Sequence, residues 1–394
     1  MNVVFVNFGQ SDNNSAYHIQ GFARGLAARG HDVVVAAVKA APDGEYPARD
    51  GHRLVSHRTA LRLGVPFADG NGADILHVWT PREITRLFAH IYAEVWGPVA
   101  LVVHQEDNEE AIFERYTGRT VEEAAREFDD DRDWSRGLIH PRRHREFVAA
   151  AQGVTAVHRC LEPLMAPGQR WIELPPAIDF EFFSPGPADP ELREEWFPIT
   201  IPRALATYNG NDHPAAMWDV RRLYEAFDLL LEDGLDIGLL RTGHTLRNAY
   251  DGVYCLSGDR YRELGFVDRD FLPKILRNID FAIQPGDDDP FNACRLPAKV
   301  PEYLAMGVPL IAGRANIGRE LEAADAAIVL DRTTPANLAD AAEWLTEHPA
   351  EAAEMAGRAR RFARRRFGAE TILPTLEAFY RECLEGGARF DPAR

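Results

Sequence analysis

The chain has 394 residues, which is too long for one ordinary hydrophobic core and predicts two domains of about 200 residues each. With 46% hydrophobic and 27% charged residues, it should be globular and well folded. A formal net charge of -17 excludes a general nucleic-acid binder, since nothing offsets phosphate repulsion overall. An anionic substrate must therefore meet a local basic site.

The cysteines and the apolar runs indicate where the protein works. The four cysteines are far apart and form no metal-ligand spacing, which is typical of a reducing compartment without disulfides. No apolar leader follows Met1, and no run approaches the length of a membrane span. We therefore expect a cytoplasmic protein.

Short apolar runs alternate with a helical pattern at the start of the chain. Residues 3–6 and 31–36 predict buried strands, and residues 17–29 predict an amphipathic helix that follows a polar loop at 9–14. This alternation predicts an α/β fold with a parallel sheet whose ligands bind at the carboxyl ends of the strands. In the loop, Gly9 would allow the backbone to approach a phosphate or an acceptor closely.

Further strands are predicted at 75–79, 99–104 and 153–157, and the second of them delivers His104 to a strand end. The alternative for His104 is a structural histidine with satisfied hydrogen bonds. Glu106 would pair with His104 or act as a base for an acceptor hydroxyl. Residues 105–144 are first acidic and then basic. We interpret them as helices that extend above the first domain and would contact the acceptor.

A second alternating region follows a proline-rich stretch at 185–202, which we interpret as a linker between domains. Strands are predicted at 204–208, 237–240 and 280–285, and helices at 218–231, 335–347, 350–367 and 371–384. Gly210 lies in the turn after the first of these strands, and Arg241 follows the second.

Residues 296–312 predict a helix that ends at Gly307 and leads into a short buried strand. Lys299 and Glu302 are three residues apart and would share one face near the start of this helix, where free N–H groups and the helix dipole favour an anion. The alternative is a surface ion pair on an ordinary helix. The chain contains only three lysines, so Lys299 is not readily explained as an ordinary surface residue.

Two sequence motifs resemble those of retaining glycosyltransferases of family 4, which have the GT-B fold. They are the segment from Lys299 to Pro309 and LAARGHDVVV at 26–35. The resemblance implies two doubly wound Rossmann-like domains with parallel sheets facing a central cleft, and a C-terminal helix that crosses back to the first domain. We expect an acceptor domain at 1–184, a linker at 185–203, a nucleotide-sugar domain at 204–368, and the returning helix and tail at 369–394.

The resemblance also implies an activity and roles for residues. The enzyme would move a sugar from a nucleotide sugar to an acceptor hydroxyl with retention of configuration and without a metal ion or other cofactor. Glu302 would bind the ribose, and His104 would face the donor sugar. His18 would lie on the acceptor side, and the acceptor would be a carbohydrate, a lipid-linked molecule or a small molecule. Lys299 and Arg295, which precede or open the donor helix, would bind the diphosphate.

Two departures from the family pattern change these assignments. Residues 211–218 lack the usual phosphate-binding cations except for His213, so Arg241 is expected as a third cation beside Arg295 and Lys299. Cys294 stands where the family has a glutamate that touches the sugar, and it cannot replace a carboxylate. Asp289, from the run at 287–289, would substitute for that glutamate, unless this run is a solvated loop.

The arginine-rich segment 358–366 would dock on anionic lipid, or it is an exposed helix face, which is the commoner case. Two other functions remain open from the sequence. One is a non-catalytic GT-B protein that binds a nucleotide or a partner, and the other is a sugar-nucleotide epimerase, which would need a cluster of acids and histidines at the anomeric centre.

Overall fold

The structure is a computed structural model, and it describes residues 1–11, 13–39, 51–62, 67, 69–127, 135–210, 212, 216–243, 245, 250–289 and 291–392. The chain divides into two compact units. The first comprises residues 1–177, 294–296 and 369–394, and the second comprises residues 178–293 and 297–368. Among the described residues, every helix is too short or too polar to span a bilayer.

The first unit is built on a seven-stranded parallel sheet. Its strands are β1 (Asn2–Val6), β2 (Asp32–Ala37), β3 (Arg53–Ser56), β4 (Ile75–Trp79), β5 (Ala100–Gln105), β6 (Gly153–Ala156) and β7 (Trp171–Glu173). The order β3-β2-β1-β4-β5-β6-β7 is that of a doubly wound sheet, as predicted. Its central strands are buried along their whole length and are mostly apolar, because both faces of the sheet are covered.

Helices cover both faces of this sheet. They are α1 (Asn14–Ala28), α2 (His57–Ala60), α3 (Glu83–Trp96), α4 (Glu109–Thr117), α5 (Val121–Glu127) and α6 (His144–Ala149). The Oδ1 atom of Asn13 accepts a hydrogen bond from the backbone N–H of Ala16 at 2.8 Å, which caps α1. Three of these helices, α4, α5 and α6, lie in or next to residues 105–144, the segment that we interpreted as helices extending above the first domain.

The second unit is built on a six-stranded parallel sheet. Its strands are β8 (Ala204–Tyr208), β9 (Ile237–Arg241), β10 (Tyr261–Glu263), β11 (Phe281–Gln284), β12 (Leu310–Gly313) and β13 (Ile328–Leu330). The order β10-β9-β8-β11-β12-β13 repeats the doubly wound pattern. The short strands β3, β10 and β13 were not predicted, because three or four residues carry too little periodicity to be recognised.

The helices of the second unit are α7 (Pro190–Trp196), α8 (Met217–Glu232), α9 (Leu272–Leu276), α10 (Lys299–Met306), α11 (Ile317–Ala323), α12 (Pro335–Glu347) and α13 (Pro349–Phe367). The helix and strand expected within 296–312 are α10 and β12, and Gly307 ends α10 at a φ of 67°. The stretch expected as a linker folds within the second unit and contains α7.

The C-terminal helix α14 (Ala369–Glu385) belongs to the first unit. The carboxylate of Glu377 accepts hydrogen bonds from Nε and Nη2 of Arg29, both at 2.8 Å, and lies 2.7 Å from Nε2 of His31. Hydrogen bonds from Arg29 and then His31 outweigh partial burial and lower the pKa of Glu377 to about 2. This contact attaches α14 to the end of α1.

We predict that Glu377→Gln lowers the free energy of unfolding by about 1 to 3 kcal/mol at neutral pH, because Arg29 and His31 lose a charged partner. A carboxyl group with a lowered pKa stabilises above its ordinary pKa of 4.5, and this stabilisation is lost as the pH falls towards 2. Urea unfolding of the variant and of Glu370→Gln, an exposed control on the same helix, measures the effect. Equal losses in both variants would contradict it.

Candidate functional site

Buried polar side chains gather at the carboxyl end of β5 in the first unit, and we call Ser15, His18, His104 and Glu106 the histidine cluster. Nδ1 of His18 donates to Oε1 of Glu106 at 3.1 Å, and the Ser15 hydroxyl donates to Oε2. Burial alone would raise the pKa of Glu106, but the hydrogen bonds from His18 and then from Ser15 help to lower it to about 2. Glu106 is therefore a carboxylate at neutral pH.

His104 is the last but one residue of β5 and is almost fully buried. Its ring stacks on Trp79 with the ring centres 3.7 Å apart, and Nδ1 lies 2.8 Å from Oγ1 of Thr155. Burial lowers the pKa of His104 to about 3, so the imidazole is neutral at pH 7. Nε2 is buried and has no hydrogen-bond partner among the described residues, which leaves this atom for a ligand.

Other buried polar atoms near the ends of β4 and β5 also lack partners within the described ranges. They are Nε1 of Trp79, Oγ1 of Thr80, Oε1 of Gln105 and Nε2 of His18. Thr80 also has a φ of 69°, which is unusual for a β-branched residue and indicates local strain. Buried polar atoms are nearly always paired, so this group marks a place where a hydroxyl-rich ligand would bind.

Asp107 lies beside the histidine cluster and was not predicted as a site residue. Burial and the neighbouring Glu106 carboxylate raise the pKa of Asp107 to about 7, although the charge of Arg295 opposes this shift. Arg295 itself falls in the short segment 294–296 that packs with the first unit. The structure therefore places Arg295 near Asp107, and it places Lys299 in the second unit.

The second unit brings Lys299 to the carboxyl end of β8. Lys299 is the first residue of α10, and its Nζ lies 3.5 Å from the centre of the Tyr208 ring. A Cβ atom on Gly210, whose φ is 105°, would lie 3.6 Å from the same Nζ. The backbone N–H of Asn209 donates to Oη of Tyr303 at 2.8 Å, which ties α10 to this strand end. The arrangement offers an ammonium group to an anion, beside a glycine that has no side chain to block the approach.

Glu302 is one turn into α10 and is 5% exposed. Its Oε1 lies 2.8 Å from Nη2 of Arg269, and Arg269 also lies over the Phe183 ring at 5.1 Å. The ion pair fixes the direction of the carboxylate. Sequence analysis missed Arg269, because it is far from Glu302 in the chain and lies in a short turn without a motif of its own. We call Lys299, Glu302, Gly210, Tyr208 and Arg269 the α10 cluster.

Arg241 is fully buried beneath the turn that carries Gly210. Nη2 of Arg241 donates to Oδ1 of Asp212 at 2.9 Å and to the carbonyl oxygen of Gly210 at 3.0 Å, and the guanidinium lies 4.5 Å from the centre of the Tyr208 ring. Asp212 balances its charge inside the protein. Arg241 therefore supports the Gly210 turn from below. His213, the other predicted cation, lies outside the described residues.

Asp289 and Gly9 are held by their own loops. Oδ1 of Asp289 accepts from the backbone N–H groups of Phe291 and Asn292, at 2.8 and 3.0 Å. The backbone N–H of Gly9 donates to Oδ1 of Asn7 at 3.2 Å, and the carbonyl oxygen of Gly9 accepts from Val38. Both contacts order the loops in which these residues lie.

Cys294 packs with the first unit, where its Sγ lies 3.5 Å from the carbonyl oxygen of Cys160. Burial raises the pKa of the Cys294 thiol to about 11, so the thiol stays neutral. Within the part of the chain that the structure describes, no group of three or more acidic, histidine or cysteine side chains is arranged to hold a metal ion.

The arginine-rich segment lies on α13 and makes contacts inside the second unit. Arg360 and Arg364 lie over the Phe180 ring, at 5.6 and 5.2 Å. Nε of Arg366 donates to Oε2 of Glu320 at 3.0 Å. These contacts occupy several of the charges that a lipid surface would need, which favours the interpretation of an ordinary helix face.

The strand order in both units is that of doubly wound α/β folds, in which ligands bind at the carboxyl ends of the strands. Residues 207–348 match the family model for glycosyl transferases group 1. The matched segment contains Gly210, Arg241, Lys299 and Glu302, and it confirms the predicted glycosyltransferase class for the second unit. No curated protein sequence matches the chain significantly.

Solved structures share the fold over nearly the whole chain. Sucrose-phosphate synthase from Thermosynechococcus elongatus has a TM-score of 0.71 at 14% identity, covering 98% of this chain and 100% of the other. The catalytic domain of starch synthase IV from Arabidopsis thaliana, bound to ADP and acarbose, has a TM-score of 0.69 at 14% identity. The match covers 98% of this chain and 99% of the other. Anabaena HepE in complex with UDP-glucose has a TM-score of 0.68 at 13% identity, and the match covers 96% of this chain and 98% of the other. These likenesses confirm the predicted GT-B fold.

The raised pKa of Asp107 predicts a pH-dependent stability. Its folded-state pKa of about 7 exceeds the ordinary value of 3.8, so its stabilising effect is complete below pH 3.8 and is lost as the pH rises through 7. Relative to Asp107→Asn, we expect the free energy of unfolding of the unmodified chain to fall by on the order of 2 to 4 kcal/mol between pH 4 and pH 7.

Urea unfolding of both proteins across this pH range measures the difference. Because asparagine does not titrate, the variant supplies the reference at each pH. Stability curves that stay parallel from pH 4 to pH 7 would show that Asp107 titrates as an ordinary surface carboxyl group.

Proposed function

We propose that this chain is a glycosyltransferase that moves a sugar from a nucleoside diphosphate sugar to an acceptor hydroxyl, with retention of anomeric configuration and without a metal ion. The observation that carries the proposal is the approach of Lys299 to Gly210 at the start of the helix that also carries Glu302, within the segment that matches glycosyl transferases group 1. An ammonium group suits a diphosphate, an oriented carboxylate suits a ribose diol, and a glycine leaves room for the ligand.

In this proposal the α10 cluster binds the donor. Glu302, oriented by Arg269, accepts hydrogen bonds from the ribose hydroxyl groups. Lys299 faces the diphosphate, where negative charge increases as the bond from the anomeric carbon to the phosphate oxygen breaks. The electrons of that bond go to the phosphate oxygen, and Lys299 stabilises the resulting charge. This interaction is stronger in the transition state than in the ground state, so it accelerates the chemical step.

The histidine cluster supplies hydrogen-bonding groups for sugar hydroxyls. His104 is neutral and buried, with Nε2 available, so it binds a hydroxyl group without carrying a charge. Nδ1 of His18 donates to Glu106, which leaves Nε2 of His18 to hydrogen-bond an acceptor hydroxyl. With retention, the departing phosphate takes the proton of the attacking hydroxyl, and His18 and Glu106 orient that hydroxyl.

Melting temperatures with a panel of sugar nucleotides test the proposal. UDP-glucose and ADP-glucose are natural first probes, because similar structures bind UDP-glucose or ADP. We expect one donor to raise the melting temperature and to be hydrolysed slowly without an acceptor, giving a sugar that first appears with the donor's anomeric configuration by NMR. Release with inverted configuration would overturn retention. No shift with any donor would instead favour a non-catalytic protein.

Glu302→Ala should weaken the binding of the free nucleoside diphosphate by about 1 to 3 kcal/mol, because the ribose loses its hydrogen-bond acceptor. Calorimetry on the nucleotide selected by the panel measures this change. Glu320→Ala is a matched control, since Glu320 is also paired with an arginine of the second unit, Arg366. Unchanged affinity in Glu302→Ala, or an equal loss in the control, would remove Glu302 from the ribose site.

A further inference from the structure

Four buried side chains of the first unit form one line of hydrogen bonds that ends at His104. Oη of Tyr380, on α14, lies 2.7 Å from Nδ1 of His77, on β4. Nε2 of His77 lies 3.0 Å from Oγ1 of Thr155, on β6, and the same oxygen lies 2.8 Å from Nδ1 of His104. These four side chains are at most 1% exposed, so water does not supply alternative partners.

The number of protons in this line determines the direction of each hydrogen bond. Burial lowers the pKa of both His77 and His104 far below neutrality, so each ring carries one N–H. The Thr155 hydroxyl has one hydrogen and two ring neighbours, so it donates to one histidine and accepts from the other. The line therefore has two self-consistent states, in which all its hydrogen bonds point one way or the other.

Tyr380 decides between these states. Among the described residues, His77 is the only hydrogen-bond partner of the Tyr380 hydroxyl. If the hydroxyl accepted from His77, both its own hydrogen and Nε2 of His104 would be buried without partners, whereas in the opposite state only the Nε2–H of His104 lacks one among the described residues. The favoured state has Tyr380 donating to Nδ1 of His77, Nε2–H of His77 donating to Thr155, and Thr155 donating to Nδ1 of His104. The proton of His104 then resides on Nε2.

We propose that Tyr380, acting through His77 and Thr155, is a positioning residue that fixes His104 as a hydrogen-bond donor through Nε2. This inference rests on the proposed function, because it gives His104 a defined task in sugar binding. Nε2–H donates to an oxygen of the bound sugar, and it cannot accept a proton. The stack on Trp79 fixes the plane of the ring, and the line of hydrogen bonds fixes its tautomer.

The proposal also separates the roles of the two histidines of the histidine cluster. Nδ1 of His18 donates to Glu106, so its Nε2 is an acceptor when the ring is neutral. The cluster thus offers one fixed donor, on His104, and a second Nε2, on His18, that accepts only while that ring is uncharged. Both Nε2 atoms are buried and have no partner among the described residues. A hydroxyl group needs one partner of each kind.

Two-bond 15N–1H NMR of the full-length chain labelled at histidine tests the proposal, because the ring nitrogen shifts report the tautomer directly. The His104 signals are assigned by their loss in His104→Asn. We expect His104 to carry its proton on Nε2 in the unmodified chain. Tyr380→Phe keeps the ring but removes the donor, so we expect a mixture of His104 tautomers. Thr155→Val should give the same result, and Thr155→Ser should retain the single tautomer.

Tyr92→Phe is the matched control, because Tyr92 is also buried in the first unit and its hydroxyl accepts from the backbone N–H of Ala73. It should leave the His104 tautomer unchanged. A proton on Nδ1 of His104 in the unmodified chain, or a single unchanged tautomer in Tyr380→Phe, would overturn the proposal.

A second measurement connects the tautomer to turnover. Once the panel has identified a donor, an equal mixture of tautomers in Tyr380→Phe should lower its hydrolysis rate by about twofold, in proportion to the competent fraction. An unchanged rate despite a mixed tautomer would overturn the positioning role. The NMR test needs no donor, so failure of the transferase assignment leaves the tautomer result readable by itself.

Discussion

In a parallel sheet every strand ends at the same edge, and the candidate sites depend on this constraint. In the first unit it brings His104, at the end of β5, to the polar side chains that follow β4 and open α1. In the second unit it brings Tyr208 and Gly210, at the end of β8, beside Arg241 at the end of β9. The chemistry of each unit is therefore concentrated at one edge of its sheet, and the apolar strands hold it there.

Charge is used locally in a chain that is strongly acidic overall. Arg241 and Asp212 neutralise each other below the Gly210 turn, and Arg269 orients Glu302 from one side. A buried charge is tolerated when it is paired and hydrogen-bonded, so these pairs stabilise a fixed geometry and do not simply add net charge. Lys299 then lies at the start of a helix, beside a glycine without a side chain, where an anionic donor would meet positive potential.

The long elements could be predicted from the sequence, because their periodicity is local. The helix α10, the strand β12 and the strand end that carries His104 all follow from residue spacing. The pairing of Arg269 with Glu302 and the line from Tyr380 to His104 could not, since each joins side chains that are far apart in the chain. The packing of residues 294–296 with the first unit was equally hidden, because Arg295 and Lys299 are only four residues apart and yet belong to different units. Such contacts are set by tertiary packing, for which a single sequence carries no periodic signal.

The central claim is that Lys299 binds the diphosphate of a nucleotide, and the chain offers a direct way to observe it. It contains only Lys39, Lys274 and Lys299, so NMR of a sample labelled with 13C at the lysine Cε position gives three signals, which Lys299→Arg assigns. Titration with UDP or ADP should shift the Lys299 signal and leave the other two in place. A Lys299 signal that stays unchanged while calorimetry shows nucleotide binding would contradict the claim.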